Sequence, residues 1–149
     1  MPTEVSANEV SPTTALATVR SLARAYQAFS SYSEAFVRQY DLTPAQFDVI
    51  ATLGNTSGMS MGEIGDKTLI TKGTLTGVVD RLEKKGLVTR EVPPENRRSV
   101  VVHLTTEGER TFSAVFPAHI GDIHQHLSAL DASELKLLQV LLSRVQQAF

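Results

Sequence analysis

The chain has 149 residues, 42% of them hydrophobic, and a formal net charge of −2, which is the size of one domain with enough apolar material for a real core. The absence of cysteine excludes a disulfide framework, a thiolate metal site and a cysteine redox switch, and the slightly acidic balance excludes a general nucleic-acid coat. No apolar run approaches the roughly 18 residues of a membrane span, and the N-terminus lacks the charged-then-apolar order of a secretory signal, so a soluble, cytoplasmic protein is expected.

Residues 1–12, MPTEVSANEVSP, are polar and without pattern and read as a loose tail. A long helix is expected from Thr13 or Thr14 to Tyr40. Its apolar face is Leu16, Val19, Ala23, Tyr26, Phe29, Phe36, Val37 and Tyr40, and no proline interrupts it. Thr43-Pro44-Ala45-Gln46 then opens a second helix with a Thr cap, Pro in the first turn and Gln three residues after the cap. That helix carries Phe47, Val49, Ile50 and Leu53 and stops at Gly54, with Asn55 to Met59 as a loop. Ser60-Met61-Gly62-Glu63 repeats the Ser-x-x-Glu capping pattern and starts a short helix ending near Thr68. Leu69 and Ile70 turn the chain into the next helix.

In that next helix, from Thr71 to Lys85, Leu75, Val78, Val79 and Leu82 fall at i, i+3, i+4 and i+7, one buried stripe at helical period. Its leading end offers small or polar residues: Thr71, Lys72, Gly73, Thr74, Thr76 and Gly77. Gly86 stands just past the last turn, where a left-handed residue commonly ends a helix. A strand over 87–92 follows, then the turn Pro93-Pro94-Glu95-Asn96-Arg97-Arg98 and a second strand over 100–104. The two prolines cannot donate to a ladder and so belong in the turn. Two short helices joined tightly, the second with a polar leading end and backed by an arginine-tipped hairpin, make a winged helix-turn-helix suited to a duplex groove. Charge points the same way: residues 61–104 hold 8 Lys/Arg against 6 Asp/Glu, while the remainder holds 6 against 10.

After the hairpin, Thr106-Glu107-Gly108-Glu109 reads as a further capping box that starts a helix with Phe112, Val115, Phe116, Ile120, Ile123 and Leu127, and Pro117 predicts a kink in it. Asp131-Ala132-Ser133-Glu134 begins the last helix, running to about Ala148. Leu135, Leu138, Leu142 and Val145 form one stripe there, and Leu137, Val140 and Leu141 widen it. An apolar surface that wide needs cover on two sides. Either a monomeric core swallows the helix, or a second subunit supplies the other side. A two-fold dimer also gives two reading heads at fixed spacing, as a pseudo-palindromic operator requires.

The run Glu63-Ile64-Gly65-Asp66-Lys67-Thr68, the segment Val79-Asp80-Arg81-Leu82-Glu83-Lys84-Lys85-Gly86-Leu87-Val88 and the Asn96-Arg97-Arg98 turn leading to Leu104-Thr105 resemble the MarR family of ligand-responsive transcriptional regulators, over about Leu42 to Glu109. The resemblance implies a mainly α fold with a small β-hairpin wing, a six-helix subunit forming a two-fold dimer. Residues 13–149 would be a single domain, with 13–40 and 106–149 as dimerisation helices and 43–105 as the winged helix-turn-helix DNA-binding lobe. It implies a homodimer on double-stranded operator DNA, its recognition helices in successive major grooves and its wings at the flanking minor grooves. A dimer with no extra domain acts most simply as a repressor, by occluding a promoter.

Thr71, Lys72, Thr74 and Thr76 are then expected to meet phosphates or base edges, against an ordinary solvated helix face. Gly73 and Gly77 each cost up to about 1 kcal/mol inside a helix relative to Ala. Either they let the backbone approach the duplex or they ease packing on the preceding helix. Where the family often has arginine at the position of Gly77, a contact would be missing. Arg81 and Lys85 are expected to contact the DNA backbone, the alternative for Arg81 being a local ion pair around Asp80 and Glu83. Arg98 matches the family's wing-tip arginine, which enters the minor groove, and Arg97 is expected at phosphate. Asn96 stands where the family usually has Asp, so it can accept a hydrogen bond but brings no charge.

For the effector, the resemblance implies a cleft taking small aromatic acids or phenols. Tyr32, Phe36, Phe47, Phe112 and Phe116 could line it or could be plain core. His119, His124 and His126 lie at spacings of five and two, which do not set ligand pairs on one helix face, so no metal and no cofactor are expected. No nucleophile motif, Gly-rich phosphate loop or metal cluster suggests an enzyme or any catalytic residue. The rival readings are a winged-helix protein-interaction module that never touches DNA and a regulator that senses a metal.

Overall fold

The computed structural model describes residues 10–96 and 98–149, so the expected tail over 1–9 and Arg97 lie outside it. Helix α1 runs over Pro12–Arg38, α2 over Pro44–Leu53, α3 over Met61–Lys67, α4 over Lys72–Lys84, α5 over Thr106–His126 and α6 over Ala132–Gln147. Strands β1 (Met59–Ser60), β2 (Val88–Glu91) and β3 (Val101–Leu104) complete the fold, and a 3-10 turn at Leu127–Ala129 joins α5 to α6. The helices thus form where apolar period and capping residues place them. The chain divides into two compact units, residues 1–47 and 48–149, with the boundary inside α2.

In the first unit, Ser11 caps α1, its hydroxyl accepting the Thr14 N–H at 3.2 Å. The helix therefore starts at Pro12, a residue earlier than the apolar pattern suggests, because Ser11 and Pro12 supply the cap and the pre-set first turn. Thr43 and Gln46 form a reciprocal capping box at the start of α2: each side-chain oxygen accepts the other residue's backbone N–H at 3.2 Å.

In the second unit, Val49, Ile50, Leu53, Ile64, Leu75, Val78, Val79, Leu82, Val88, Val102 and Val115 are buried and make the core. The sheet order is β1-β3-β2, with both pairings antiparallel. Met59 pairs with Val102 and Ser60 with Val101, so the end of the expected loop is a strand. Two residues show no periodicity of their own. What makes them a strand is the edge of β3, 41 and 43 positions along the chain for the two pairs, which no local pattern reveals.

Gly86 takes φ +75° and ends α4 as expected. Thr105, rather than Thr106, caps α5: its hydroxyl accepts the Gly108 N–H at 3.0 Å and donates to the Gly86 carbonyl at 2.6 Å. Thr105 thereby starts one helix while satisfying the end of another, a long-range duty that favours it over its neighbour. A side chain at Gly108 would lie 2.0 Å from the Leu87 carbonyl oxygen, so the wing and α5 meet only because that position is glycine. Helix α5 continues through Pro117 as one element. Asp131 and Glu134 complete a second capping box for α6. That helix is not sunk in the chain's own core: none of its residues is buried, and Leu137, Leu138, Val140, Leu141 and Leu142 stand 42–58% exposed. No helix among the described residues is long and apolar enough to cross a membrane.

Candidate nucleic-acid interface

Helix α4 has two unlike faces. Leu75, Val78, Val79 and Leu82 are buried, while Thr71, Lys72, Gly73, Thr74 and Thr76 are exposed at its leading end, and Arg81 and Lys85 are exposed near its tail. The Thr71 hydroxyl donates to that of Thr74 at 3.0 Å, which ties the two side chains together at the exposed leading end of the helix. The carbonyl of Thr71 takes the N–H groups of Thr74 and Leu75, so the helix begins cleanly at Lys72. An added methyl at Gly73 would meet no atom within 4 Å, and one at Gly77 only the Arg81 guanidinium at 3.9 Å. Packing against the preceding helix therefore does not explain either glycine, and close approach of an outside surface remains.

Arg81 keeps no ion pair with Asp80 or Glu83, because another residue takes both. Arg90 on β2 donates to Asp80 at 2.6 Å and reaches Glu83 at 3.4 Å. Both acids sit one turn apart on α4, so a single guanidinium clamps the wing's first strand, β2, to the recognition helix. The sequence reading missed Arg90. Its trace was an acid pair at i, i+3 on α4 and an arginine on the strand that follows.

At the wing tip, the Asn96 side-chain oxygen accepts the Arg98 N–H at 3.2 Å, and its amide nitrogen donates to the Ser99 hydroxyl at 2.9 Å. The backbone closes the same turn through Asn96 to Pro93 and Ser99 to Asn96. Asn96 thus organises the tip through the Arg98 backbone, and Arg98 is exposed.

The turn between α3 and α4 holds a second feature that the sequence reading passed over. Thr68 is buried; its hydroxyl donates to the Ile64 carbonyl at 2.9 Å and accepts the Ile70 N–H at 3.4 Å. Burial pushes the Asp48 carboxyl on α2 up from the usual carboxylate range, and the nearby Leu69 N–H partly opposes the rise. Leu69 itself is 92% exposed.

Among the expected effector residues, Phe112 and Phe116 stack at 5.0 Å on α5, half-buried. Tyr32 and Phe36 meet at 6.3 Å in the first unit, where Phe29 and Tyr40 extend the same ladder, and Phe47 is half-buried on α2. His119 is 2% exposed. Its burial lowers the imidazole pKa against an opposing pull from Asp122. His126 instead faces Asp122 at 3.6 Å and His103 faces Glu91 at 3.1 Å. Among the described residues no three His, Asp or Glu side chains gather as metal ligands.

A helix-turn-helix with a polar, open reading end, clamped to an arginine-tipped β wing, defines a winged helix-turn-helix regulator. The family model described as MarR family matches residues 40–99. The HTH-type transcriptional regulator MhqR of Bacillus subtilis (strain 168) is 32% identical over 124 residues, covering 83% of this chain and 86% of that protein. A mutant MarR from E. coli, solved complexed with operator DNA, superposes with a TM-score of 0.76 at 30% identity, covering 85% of this chain and 91% of that one. BpsR of Bordetella bronchiseptica, whose DNA binding is regulated by 6-hydroxynicotinic acid, gives a TM-score of 0.76 at 26% identity and covers 87% of this chain and 98% of that one. The chain belongs to the MarR family of transcriptional regulators.

Proposed function

We propose that the protein is a cytoplasmic, homodimeric repressor that binds a pseudo-palindromic operator and is released by a small aromatic or phenolic acid, with no catalytic step. The observation that carries the DNA reading is the open face of α4. Small hydroxyls and one lysine line it, two glycines leave room in which an added Cβ would meet none of the described residues closer than the Arg81 guanidinium at 3.9 Å, and Arg90 fixes it to the wing. Operator-bound MarR, at 30% identity, supports the same use of this lobe. The dimer is supported by the exposed apolar faces of α1 and α6, wider than the scattered apolar residues of a monomer surface. The effector class is supported by the heteroaromatic acid that regulates BpsR and by this chain's aromatic pairs at 32/36 and 112/116. A ligand that fits only the dimer with wrongly spaced reading heads lowers operator affinity by its preference for that state.

The test is binding of purified protein to the DNA upstream of its own gene, titrated across salt concentration. Tight binding to one short pseudo-palindrome with a steep salt slope is expected. Weak binding, equal to that for random DNA and unaltered after unfolding and refolding to strip any bound ligand, would refute the reading.

A further inference from the structure

The helix-turn-helix turn offers one large apolar side chain to solvent on a backbone that is held still. The Thr68 hydroxyl donates to the Ile64 carbonyl and accepts the Ile70 N–H, which ties the two ends of the turn. The Leu69 side chain is nevertheless 92% exposed, while Ile64 and Leu75 on either side of the turn are buried. A leucine held outward leaves its apolar surface in water, and any surface that covers it gains that burial.

Its position indicates what that cover is. Leu69 precedes the cap Thr71 by two residues, at the leading end of α4 beside exposed Lys72 and Thr74. The leading end of a recognition helix is the part that comes closest to base edges in the major groove. The one apolar group on those edges is the thymine 5-methyl. We propose that Leu69 packs on a thymine methyl in each half-site and so sets sequence preference. The proposal rests on the operator-binding function above.

A duplex selected by full-length wild-type protein from a random-sequence pool tests it. Each thymine of that duplex is replaced singly by deoxyuridine, which removes only the methyl. At one thymine per half-site the replacement weakens wild-type binding about fourfold, as expected for one lost methyl contact, and leaves Leu69→Ala binding unchanged. If no thymine distinguishes wild type from Leu69→Ala, the leucine contact is wrong. A selection that enriches no sequence would instead overturn the operator-binding function itself.

Discussion

Among single residues, the sharpest distinction is between side chains that hold the duplex and those that read it. Arg98→Ala removes one exposed cation per subunit, so operator affinity falls and the slope of log K against log salt flattens by about two for a dimer. Thr74→Ala removes a hydroxyl that faces outward, so sequence preference changes while the slope stays. Equal loss from Thr74→Ala on operator and random duplexes would contradict base reading. Asp48 makes a different kind of forecast. Its folded pKa lies above the unfolded one, so the folded state favours the protonated form, and the carboxylate costs stability at neutral pH. That cost vanishes as pH falls through the usual carboxylate range. Asp48→Asn therefore raises the thermal midpoint at neutral pH, and its advantage shrinks towards zero in acid. A constant difference across that range in scanning calorimetry would contradict the assignment.

The secondary-structure elements show how far local patterns reach. The buried stripe of α4, the boxes at Thr43/Gln46 and Asp131/Glu134 and the glycine stop at Gly86 were legible because each is a short-range arrangement with a local energetic reason. Strand β1, the Thr105 cap and the Arg90 clamp were not, because each depends on a partner brought close by folding: Val101 and Val102 for β1, Gly86 for Thr105, Asp80 and Glu83 for Arg90. The polar end of α4 could be read as a surface, but Leu69 looked like an ordinary turn residue, since sequence does not tell which way a turn points its side chain. The clamp has a measurable role at this scale. Arg90→Ala loses a partly exposed ion pair and so costs less than about 1 kcal/mol of global stability. It nevertheless frees the wing from α4, and operator affinity falls by more than that stability change. Unchanged operator binding in a gel-shift or anisotropy titration would show that the clamp is not needed for reading.

For the molecule as a whole, the apolar surfaces of α1 and α6 are the large areas that a single chain leaves uncovered. Under the proposed dimer they are contact surface, so the double substitution Leu138→Asp, Leu141→Asp yields a monomer by light scattering. Operator affinity then drops by about 10²–10⁴, the advantage of two linked reading heads over one. A double variant that stays dimeric would move the interface elsewhere.

The two glycines of α4 carry a consequence for motion. Each removes about 0.5–1 kcal/mol of helix stability relative to alanine, and both lie in the half of the helix that precedes the tight core positions Val78, Val79 and Leu82. The reading end is thus the part of α4 that opens most readily, and amide hydrogen exchange over 73–77 runs faster than over 78–84 in the free protein. Operator binding would slow it selectively, so the order that makes the reading surface is completed by the DNA. Part of the binding free energy is then spent on ordering a single helical turn, and alanine at either glycine would make the free protein firmer while leaving less room for the duplex.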